Sequence, residues 1–340
     1  MTTVLLITAL CGLLAVSLVL QAMFLQWGLR WAKVSKIAFT RAMLLILAFF
    51  AVSVFITVGF SAFTPDSPQE EFAIGFGELA AQFLIPCVIL ARLYRVRLLR
   101  AFQAWLPILI PAAAMLALTY FVYRPLVFEA FVAPTNSMAP TILGHHSIGE
   151  CPRCGQPAYG FWPSSPDQIP PDGLELMCSR ELRACRVTNI SETAGQPDRF
   201  LVGKFLSPRR WDVIVFRLPS DPAVHYVKRL VGLPGEQLLL RDGAVWIDGK
   251  KLEPHETLRG IEYLSALEWN GTTRSGAGSS PVTLGPDEYF VLGDFSAQAS
   301  DSRFWEQGAP GHQRFAVPKS HIVGVVTHIY WPFNRWRILR

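Results

Sequence analysis

Long apolar stretches, separated by short polar segments, make up the first third of the chain. Four of them lie at about 4–25, 42–64, 72–91 and 104–123. Each has roughly the 20 residues that an apolar helix needs to cross a bilayer. The first stretch lacks the basic start of a cleaved signal peptide. The pattern therefore predicts a membrane region over 1–123 with four transmembrane helices.

The polar segments between these stretches alternate in charge. Two of them are basic, with Arg30, Lys33, Lys36 and Arg41 in one and Arg92, Arg95, Arg97 and Arg100 in the other; the middle one carries Asp66, Glu70 and Glu71. Because basic loops stay in the cytoplasm, both ends of the chain are predicted to lie outside it. Glu78 interrupts the third stretch, and we expect it to reach the outer interface without a functional role.

After Tyr123 the pattern changes to short runs of β-branched and aromatic residues bounded by Gly and Pro, which is typical of strands. Strands are predicted at 212–216, 225–231, 237–240, 244–247, 289–292 and 322–330, and loops at 155–175 and 270–281. The Asp-Gly pairs at 242–243 and 248–249 predict hairpin turns, since such turns need positive φ. The sequence thus predicts N-terminal transmembrane helices followed by a mainly-β domain over 124–340.

Composition separates the two parts further. The chain is 51% hydrophobic and 17% charged, whereas soluble domains average about 25% charged residues. Residues 1–123 hold eight basic and four acidic residues, and 124–340 hold 23 and 22. The second part lacks the basic excess of a nucleic-acid-binding surface, so no nucleic-acid partner is predicted.

Two residues of the exported part could form a nucleophile and its base. Ser137 lies in the extended Pro134–Pro140 segment, fourteen residues after the last predicted span. Fourteen extended residues reach at most about 46 Å, so Ser137 is expected near the membrane surface. Lys228 lies on an apolar predicted strand. If that lysine is buried, desolvation lowers its pKa enough for a neutral amine to take the serine proton.

These residues stand in ordered motifs that resemble those of type I signal peptidases, membrane-anchored serine proteases of exported proteins. The motifs are Arg124-Pro125 with Phe131 and Pro134–Thr141, Asp198–Phe205, Arg210–Phe216, Tyr226–Glu236, and Gly293-Asp294 with Asp301-Ser302-Arg303. The resemblance covers about 124–340, with an insertion at 142–197. It implies a fold of antiparallel sheets with an accessory β region at about 245–288.

The resemblance also implies residue roles. Ser137 would be the nucleophile, Lys228 the general base and Thr135 an oxyanion-hole residue beside the Ser137 amide. The residues that would brace the site are Arg229, Asp294, Ser300, Asp301 and Arg303. Those that would line the pockets for the small side chains of an Ala-x-Ala pattern are Phe131, Ala133, Pro134, Tyr226 and Val227.

Localisation and partners follow from the same resemblance. It implies a multi-pass protein of the cytoplasmic membrane with its catalytic domain on the extracytoplasmic side, no cofactor for catalysis, and exported preproteins as substrates. Membrane lipid and the protein-export translocon are its other expected partners. Trp331, Phe333 and Trp336 either dock on the membrane interface, which Trp favours, or belong to the β core.

The last motif departs from the family pattern at two positions. Phe295 stands where the family has Asn, and Ala299 stands where it has a lysine-contacting Ser, with Ser300 following. The hydrogen bonding of Lys228 is therefore open. A catalytically silent membrane protein that uses its insertion as an interaction module is an alternative, and so is a processing protease with one dedicated client.

The 142–197 insertion holds four cysteines. Cys151 and Cys154 form a C-x2-C pair that resembles a zinc-ribbon knuckle, and Cys178 and Cys185 follow at a wider spacing. A structural zinc ion is one prediction, with His145 and His146 as spare ligands. Two disulfides, which an exported domain can form, and free thiols are the alternatives. We expect a small cross-linked module whose ends lie close together and which is separable from the chemistry.

Overall fold

The computed structural model describes residues 2–61, 63, 68–163, 169–269 and 272–340. The chain divides into two compact units, Met1–Val122 and Tyr123–Arg340. Some of the predictions lie outside the described residues. They concern Asp66, residues 62 and 64 at the end of the second predicted span, and residues 164–168 and 270–271 of the two predicted loops.

The first unit consists of apolar helices. They are α1 (Thr2–Trp31), α2 (Phe39–Ser61), α3 (Pro68–Leu93), α4 (Leu98–Trp105) and α5 (Leu109–Leu118), and the last of them continues through a wider turn at Thr119–Tyr123 into α6 (Arg124–Leu126). Among the described residues, Phe39–Ser61, Phe72–Leu93 and Leu98–Leu126 are long and apolar enough to span a membrane. The last segment includes α4 and therefore begins before the predicted residue 104. Ala101, Ala104 and Trp105 of α4 are buried.

Small residues allow these helices to pack closely. A Cβ atom on Gly28 of α1 would lie 2.0 Å from the Ala104 carbonyl oxygen of α4, so only glycine permits this approach. Glu78 of α3 has polar partners within the same unit. It accepts hydrogen bonds from Thr57 Oγ1 (2.8 Å) and Gln82 Nε2 (3.0 Å), which satisfy part of the hydrogen-bonding capacity of an acid in an apolar stretch.

The regular secondary structure of the second unit is mainly β-strand. They are β1 (Phe128–Val132), β2 (His146–Glu150), β3 (Pro157–Phe161), β4 (Leu174–Cys178), β5 (Ala184–Val187), β6 (Arg199–Gly203), β7 (Val213–Leu218), β8 (Asp221–Gly232), β9 (Gln237–Arg241), β10 (Ala244–Ile247), β11 (Lys250–Lys251), β12 (Ala266–Trp269), β13 (Thr272–Ser275), β14 (Val282–Thr283), β15 (Glu288–Leu292), β16 (Val317–Pro318), β17 (Ile322–Trp331) and β18 (Arg337–Ile338).

Within the described part of the chain, these strands form one large sheet and three small ones. The large sheet has the order β1-β6-β17-β7-β8-β15-β16, with β18 beside β17. The insertion forms the sheet β2-β3-β4-β5, and residues 237–283 form the sheet β11-β10-β9-β14 and the hairpin β12-β13. The sheet β11-β10-β9-β14 begins before residue 245, the predicted start of the accessory region. The pairings within the four sheets are antiparallel. The predicted fold class, apolar helices followed by a mainly-β domain, is therefore confirmed.

The six predicted strands are all present, and so are both hairpin turns. Asp242 and Gly243 have φ of 54° and 72°, and Asp248 and Gly249 have 49° and 77°. The loop predictions are wrong in part, since β3 lies within 155–175 and β13 within 270–281. Pro157 and Gly160 conceal β3 because both are poor strand formers. Gly160 is required there, since a Cβ atom would lie 2.7 Å from the Leu176 side chain.

The large sheet is buried on both faces, which explains the continuous apolar run of β7. Val213 and Val215 pack on one face with Met138 and Ile142. Ile214 and Phe216 pack on the other face, as the two-residue period of a strand requires. Because Met138 follows Ser137, this core anchors the segment that carries the predicted nucleophile.

Candidate active site

Ser137 lies in the loop that follows β1, and its neighbour Asn136 fixes the shape of that loop. Asn136 donates from Nδ2 to the His145 carbonyl oxygen (2.7 Å) and accepts at Oδ1 from the Gly144 amide (2.9 Å). Ser137 itself is only 8% exposed. The nucleophile loop is thus closed on itself by one side chain and anchored in the core by the next residue, Met138.

Lys228 lies in the middle of β8, opposite Ile214 of β7, and is 4% exposed. Its Nζ atom lies 2.9 Å from Ser137 Oγ and 2.9 Å from the Val227 carbonyl oxygen. The structure therefore brings together two residues that are 91 positions apart in the sequence. At this distance the charged ammonium donates to the hydroxyl, and the neutral amine accepts its proton.

Burial changes the acidity of this lysine. Desolvation of the ammonium lowers the pKa of Lys228 from 10.5 to about 8, although the carboxylates of Asp301 and Asp294 favour the charged form. Desolvation is the larger effect because the side chain is removed from water while both carboxylates are shared with arginines. A lysine in this state supplies a usable fraction of neutral amine near neutral pH.

Thr135 lies on the other side of the nucleophile. Its Oγ1 atom is 3.4 Å from Ser137 Oγ, so a carbonyl carbon attacked by Ser137 would place its oxygen within reach of Thr135. Both residues line one cavity, together with Lys228 and Ser300. This geometry suits an oxyanion-hole donor, which must face the position where negative charge develops.

A buried ion pair supports the site from β8. Arg229 donates from Nε to Asp294 Oδ1 (2.7 Å) and from Nη1 to the Trp211 carbonyl oxygen (2.7 Å). Asp294 also accepts from Thr141 Oγ1, four residues after the nucleophile. Arg229 and Asp294 are therefore connected to the nucleophile loop by hydrogen bonds. The charge of each side chain is compensated by the other.

A second buried ion pair lies at the end of the last motif. Arg303 donates to Asp301 from Nε and Nη2, both at 2.8 Å, and both side chains are fully buried. Asp301 Oδ2 accepts from the Gly293 amide at 2.9 Å. Arg303 also donates to Ser296 Oγ at 2.8 Å. This network fixes the turn between β15 and Asp301. That turn is hydrogen-bonded to the Ser137 backbone.

The final motif departs from the family pattern at a tightly packed point. Gly293 leaves no room for a side chain, since a Cβ atom would lie 2.6 Å from the Ser137 carbonyl oxygen and 2.3 Å from the Ala299 Cβ. Phe295 is fully buried and packs with Leu143 and Met177, so it fills the space between the motif and the insertion. Among the described residues, the hydrogen-bond acceptors of Lys228 are Ser137 and Val227.

The cavity at Ser137 has a volume of about 470 Å³. Four of the five predicted substrate-binding residues line it, namely Phe131, Pro134, Tyr226 and Val227. Ala133 instead lies in the core with Met138 and Phe200.

The insertion also lines this cavity, which the sequence did not reveal. His145, Phe161 and Trp162 form part of its wall. The expectation that the insertion is separate from the chemistry is therefore wrong at this edge. Its ends lie close together as expected, because the Asp198 amide donates to the Leu143 carbonyl oxygen at 2.8 Å.

Two C-terminal arginines hold the nucleophile loop and were also missed. Arg335 donates to Asp198 at 2.7 and 2.8 Å, and Arg337 donates to the carbonyl oxygens of Pro140 and Thr141. Both act on the base of the loop that carries Ser137. The sequence signal was the alternating basic residues at the end of an otherwise neutral domain.

The four insertion cysteines lie together in one small core. Neither spare histidine lies with them: His146 donates from Nδ1 to the Gly144 carbonyl oxygen, 2.7 Å away, and His145 lines the cavity. Burial lowers the pKa of His146, in keeping with a neutral ring between β2 and its neighbours.

Comparisons with known proteins show what this chain is similar to. The family model "Signal peptidase, peptidase S26" matches residues 176–331, a range that includes Lys228, Asp294 and Arg303. The signal peptidase I of Rickettsia rickettsii (strain Sheila Smith) is 30% identical over 230 residues, which are 61% of this chain and 75% of the relative. That of Rickettsia felis is 34% identical over 232 residues, with the same shares.

A solved structure is also similar in sequence. The crystal structure of a signal peptidase I from Enterococcus faecalis V583 is 27% identical, covers 36% of this chain and 98% of its own, and has a TM-score of 0.27. The family match and the relatives assign the β domain to peptidase S26, which is a family of serine proteases. The chain belongs to the signal peptidase I family.

Proposed function

We propose that the protein is an endopeptidase that removes signal peptides from exported preproteins at the outer face of the cytoplasmic membrane. The observation that carries the proposal is the contact of 2.9 Å between Lys228 Nζ and Ser137 Oγ, made by a lysine that is 4% exposed. A serine needs an adjacent base to become a nucleophile. Desolvation makes this lysine a suitable one.

The proposed reaction has two steps. Neutral Lys228 takes the proton of Ser137 Oγ as the oxygen attacks the scissile carbonyl carbon, and the negative charge develops near Thr135 Oγ1 and the Ser137 amide. The ammonium of Lys228 then gives its proton to the departing amine, which leaves an ester on Ser137. Water, activated by the same lysine, hydrolyses the ester and restores the serine. This chemistry needs no cofactor.

Substrate selection would occur along the cavity walls. Phe131 and Pro134 come from β1 and the loop after it, and Tyr226 and Val227 come from β8, so an extended peptide could lie between the two strands. Aromatic walls on both sides leave shallow space beside Ser137, which suits alanine before the cut. The Ala-x-Ala preference is thus supported by the lining residues.

We further propose four spans with both ends of the chain outside the cytoplasm. Three described segments have the length and hydropathy of spans, and α1 is a helix of 30 residues without a charged residue before Arg30. The basic segments at 30–41 and 92–100 would then be cytoplasmic. Phe333 and Trp336 are 76% and 55% exposed, which favours a membrane-facing role over a core role for these two.

The proposal is tested by cleavage of a preprotein that carries an Ala-x-Ala site, with the full chain purified in detergent. Ser137→Ala and Lys228→Ala should each abolish cleavage, and the double variant should be no worse, because members of one catalytic unit are not additive. Ser279→Ala and Lys319→Ala replace exposed residues outside the cavity and serve as matched controls that should keep full activity.

The results also separate the alternatives. Absence of cleavage by the unaltered chain would favour a catalytically silent protein. Cleavage of one client but not of generic preproteins would favour a dedicated processing protease. Substantial activity in Lys228→Ala would contradict the serine–lysine mechanism. Co-purification with translocon subunits from detergent-solubilised membranes would test the expected export partner.

A further inference from the structure

We propose that the insertion contains a structural zinc site in which Cys151, Cys154, Cys178 and Cys185 bind one Zn²⁺ through four thiolates. The Sγ atoms of the first three residues lie within 4.8 Å of one another. Cys185 is buried on β5, which pairs with the strand that ends at Cys178. All four belong to one small core and are free thiols. This inference does not depend on the proposed peptidase activity.

The first pair of cysteines lies on one tight turn. After β2 the chain reverses: the Gly155 amide donates to the Cys151 carbonyl oxygen at 2.8 Å, and the Cys151 amide donates to the Gln156 carbonyl oxygen at 2.9 Å. Gly155 has a φ of 69°, which permits the reversal. This reversal brings Cys154 Sγ to within 4.8 Å of Cys151 Sγ.

The second pair lies on the hairpin of β4 and β5. Cys185 pairs with Leu176, two residues before Cys178, so both cysteines face the same side of the hairpin. The Glu181 amide donates to Cys178 Sγ at 3.4 Å. The wide spacing of this pair, which made its role ambiguous in the sequence, is therefore the length of a hairpin loop.

The separation of the thiols favours a metal over disulfides. Cys154 Sγ and Cys178 Sγ lie 3.4 Å apart. Sulfur atoms at the corners of a zinc tetrahedron lie about 3.8 Å apart, given Zn–S bonds of about 2.3 Å, whereas a disulfide bond is about 2.05 Å long. Cys151 Sγ lies within 4.8 Å of Cys154 Sγ and of Cys178 Sγ, so sulfur atoms from both pairs surround one point and do not separate into two bonds.

The chemistry of the donor set selects zinc. Four thiolates in a tetrahedral array are typical ligands of structural zinc. Arg153, which lies within the C-x2-C turn, would partly balance their excess negative charge. The apolar residues buried around the thiols are few, namely Ala158, Leu176 and Val187. So small a core needs a cross-link to hold a separate sheet.

The test begins with the unaltered chain, purified in detergent without chelator or reductant. We expect one zinc ion per chain by elemental analysis, an intact mass without hydrogen loss, and four additional reactive thiols once the ion is released. Cobalt(II) added to the zinc-free reduced chain should give the thiolate charge-transfer bands of a tetrahedral site. These measurements do not require a variant to fold.

The variants identify the ligands. Cys178→Ser and Cys185→Ser should each lose most of the bound zinc, whereas Cys87→Ser, which changes a buried cysteine of the first unit, should retain it. An unaltered chain that lacks metal and has lost four hydrogens would overturn the proposal in favour of two disulfides. Undiminished zinc in both insertion variants would overturn it as well.

Discussion

Arg335, near the end of the chain, forms a two-hydrogen-bond ion pair with Asp198, which lies 137 positions earlier. Asp198 is fully buried and also accepts from the Leu143 amide at 2.9 Å. One carboxylate therefore joins the C-terminus, the neck of the insertion and the end of the nucleophile loop. The geometry of Ser137 depends on an interaction made by residues outside the cavity.

Loss of this ion pair should destabilise the β domain. Arg335→Ala leaves the Asp198 carboxylate buried without its charge partner, and such losses cost about 3–5 kcal/mol. Because Arg335 is 17% exposed, we expect a value at the lower end, measured by denaturant unfolding of the purified chain. Arg274→Ala breaks an exposed pair with Glu306 and should cost no more than about 1 kcal/mol. Equal costs for the two variants would contradict the assigned role.

The rate of cleavage should rise with pH through the pKa of Lys228. Only the neutral amine accepts the Ser137 proton, and the ammonium predominates below a pKa of about 8. At pH 7 about a tenth of the molecules would be active, against about 0.03% for an unperturbed lysine. We expect kcat/KM to rise tenfold per pH unit up to about pH 8 and then to level off. A rise that continues to pH 10 would show that the lysine is not desolvated in solution.

Thr135 should act on the transition state and not on substrate binding. Thr135→Val keeps the shape of the side chain but removes the hydroxyl near Ser137 Oγ. Loss of one oxyanion donor lowers kcat by about 10²–10³, so we expect a decrease of this size with KM almost unchanged. Thr135→Ser restores the hydroxyl and should recover most of the rate. A failure of the serine variant to recover would assign Thr135 a packing role.

The residues of the proposed catalytic pair were predictable because each stands in a recognisable motif. Ser137 stands between two prolines, and Lys228 stands in an apolar strand. Strands such as β7 and β8 follow from a run of β-branched residues, which needs no knowledge of distant contacts. The apolar helices were equally clear from their length.

The wall formed by the insertion was not predictable in this way. Phe161 reaches the cavity because β3 belongs to a sheet that packs on the main domain through Met177 and Phe295, residues that are far apart in the sequence. The Arg335–Asp198 pair likewise depends on a long-range contact. In both cases the sequence shows the residue but not its partner.

The proposed topology is tested by labelling of single introduced cysteines with a membrane-impermeant maleimide. Ser279→Cys lies on the exported domain, and Ser35→Cys lies in the first basic segment. In cells with a permeabilised outer envelope but an intact cytoplasmic membrane, we expect label at residue 279 alone. After lysis, both residues should react. Label at residue 35 in intact cells, with residue 279 protected, would show that the orientation is inverted.

The insertion should contribute to substrate binding, given the proposed peptidase activity. Phe161 lines the cavity that contains Ser137 and remains 53% exposed, so a bound peptide can cover it. Phe161→Ala removes apolar contact area that is present in both the ground state and the transition state. Such a change raises KM with little effect on kcat, and we expect an increase of about tenfold from the loss of one aromatic contact. Trp246→Ala, in the accessory sheet and outside the cavity lining, is the matched control and should leave KM unchanged. An unchanged KM in Phe161→Ala, or an equal rise in both variants, would show that this wall does not contact the substrate.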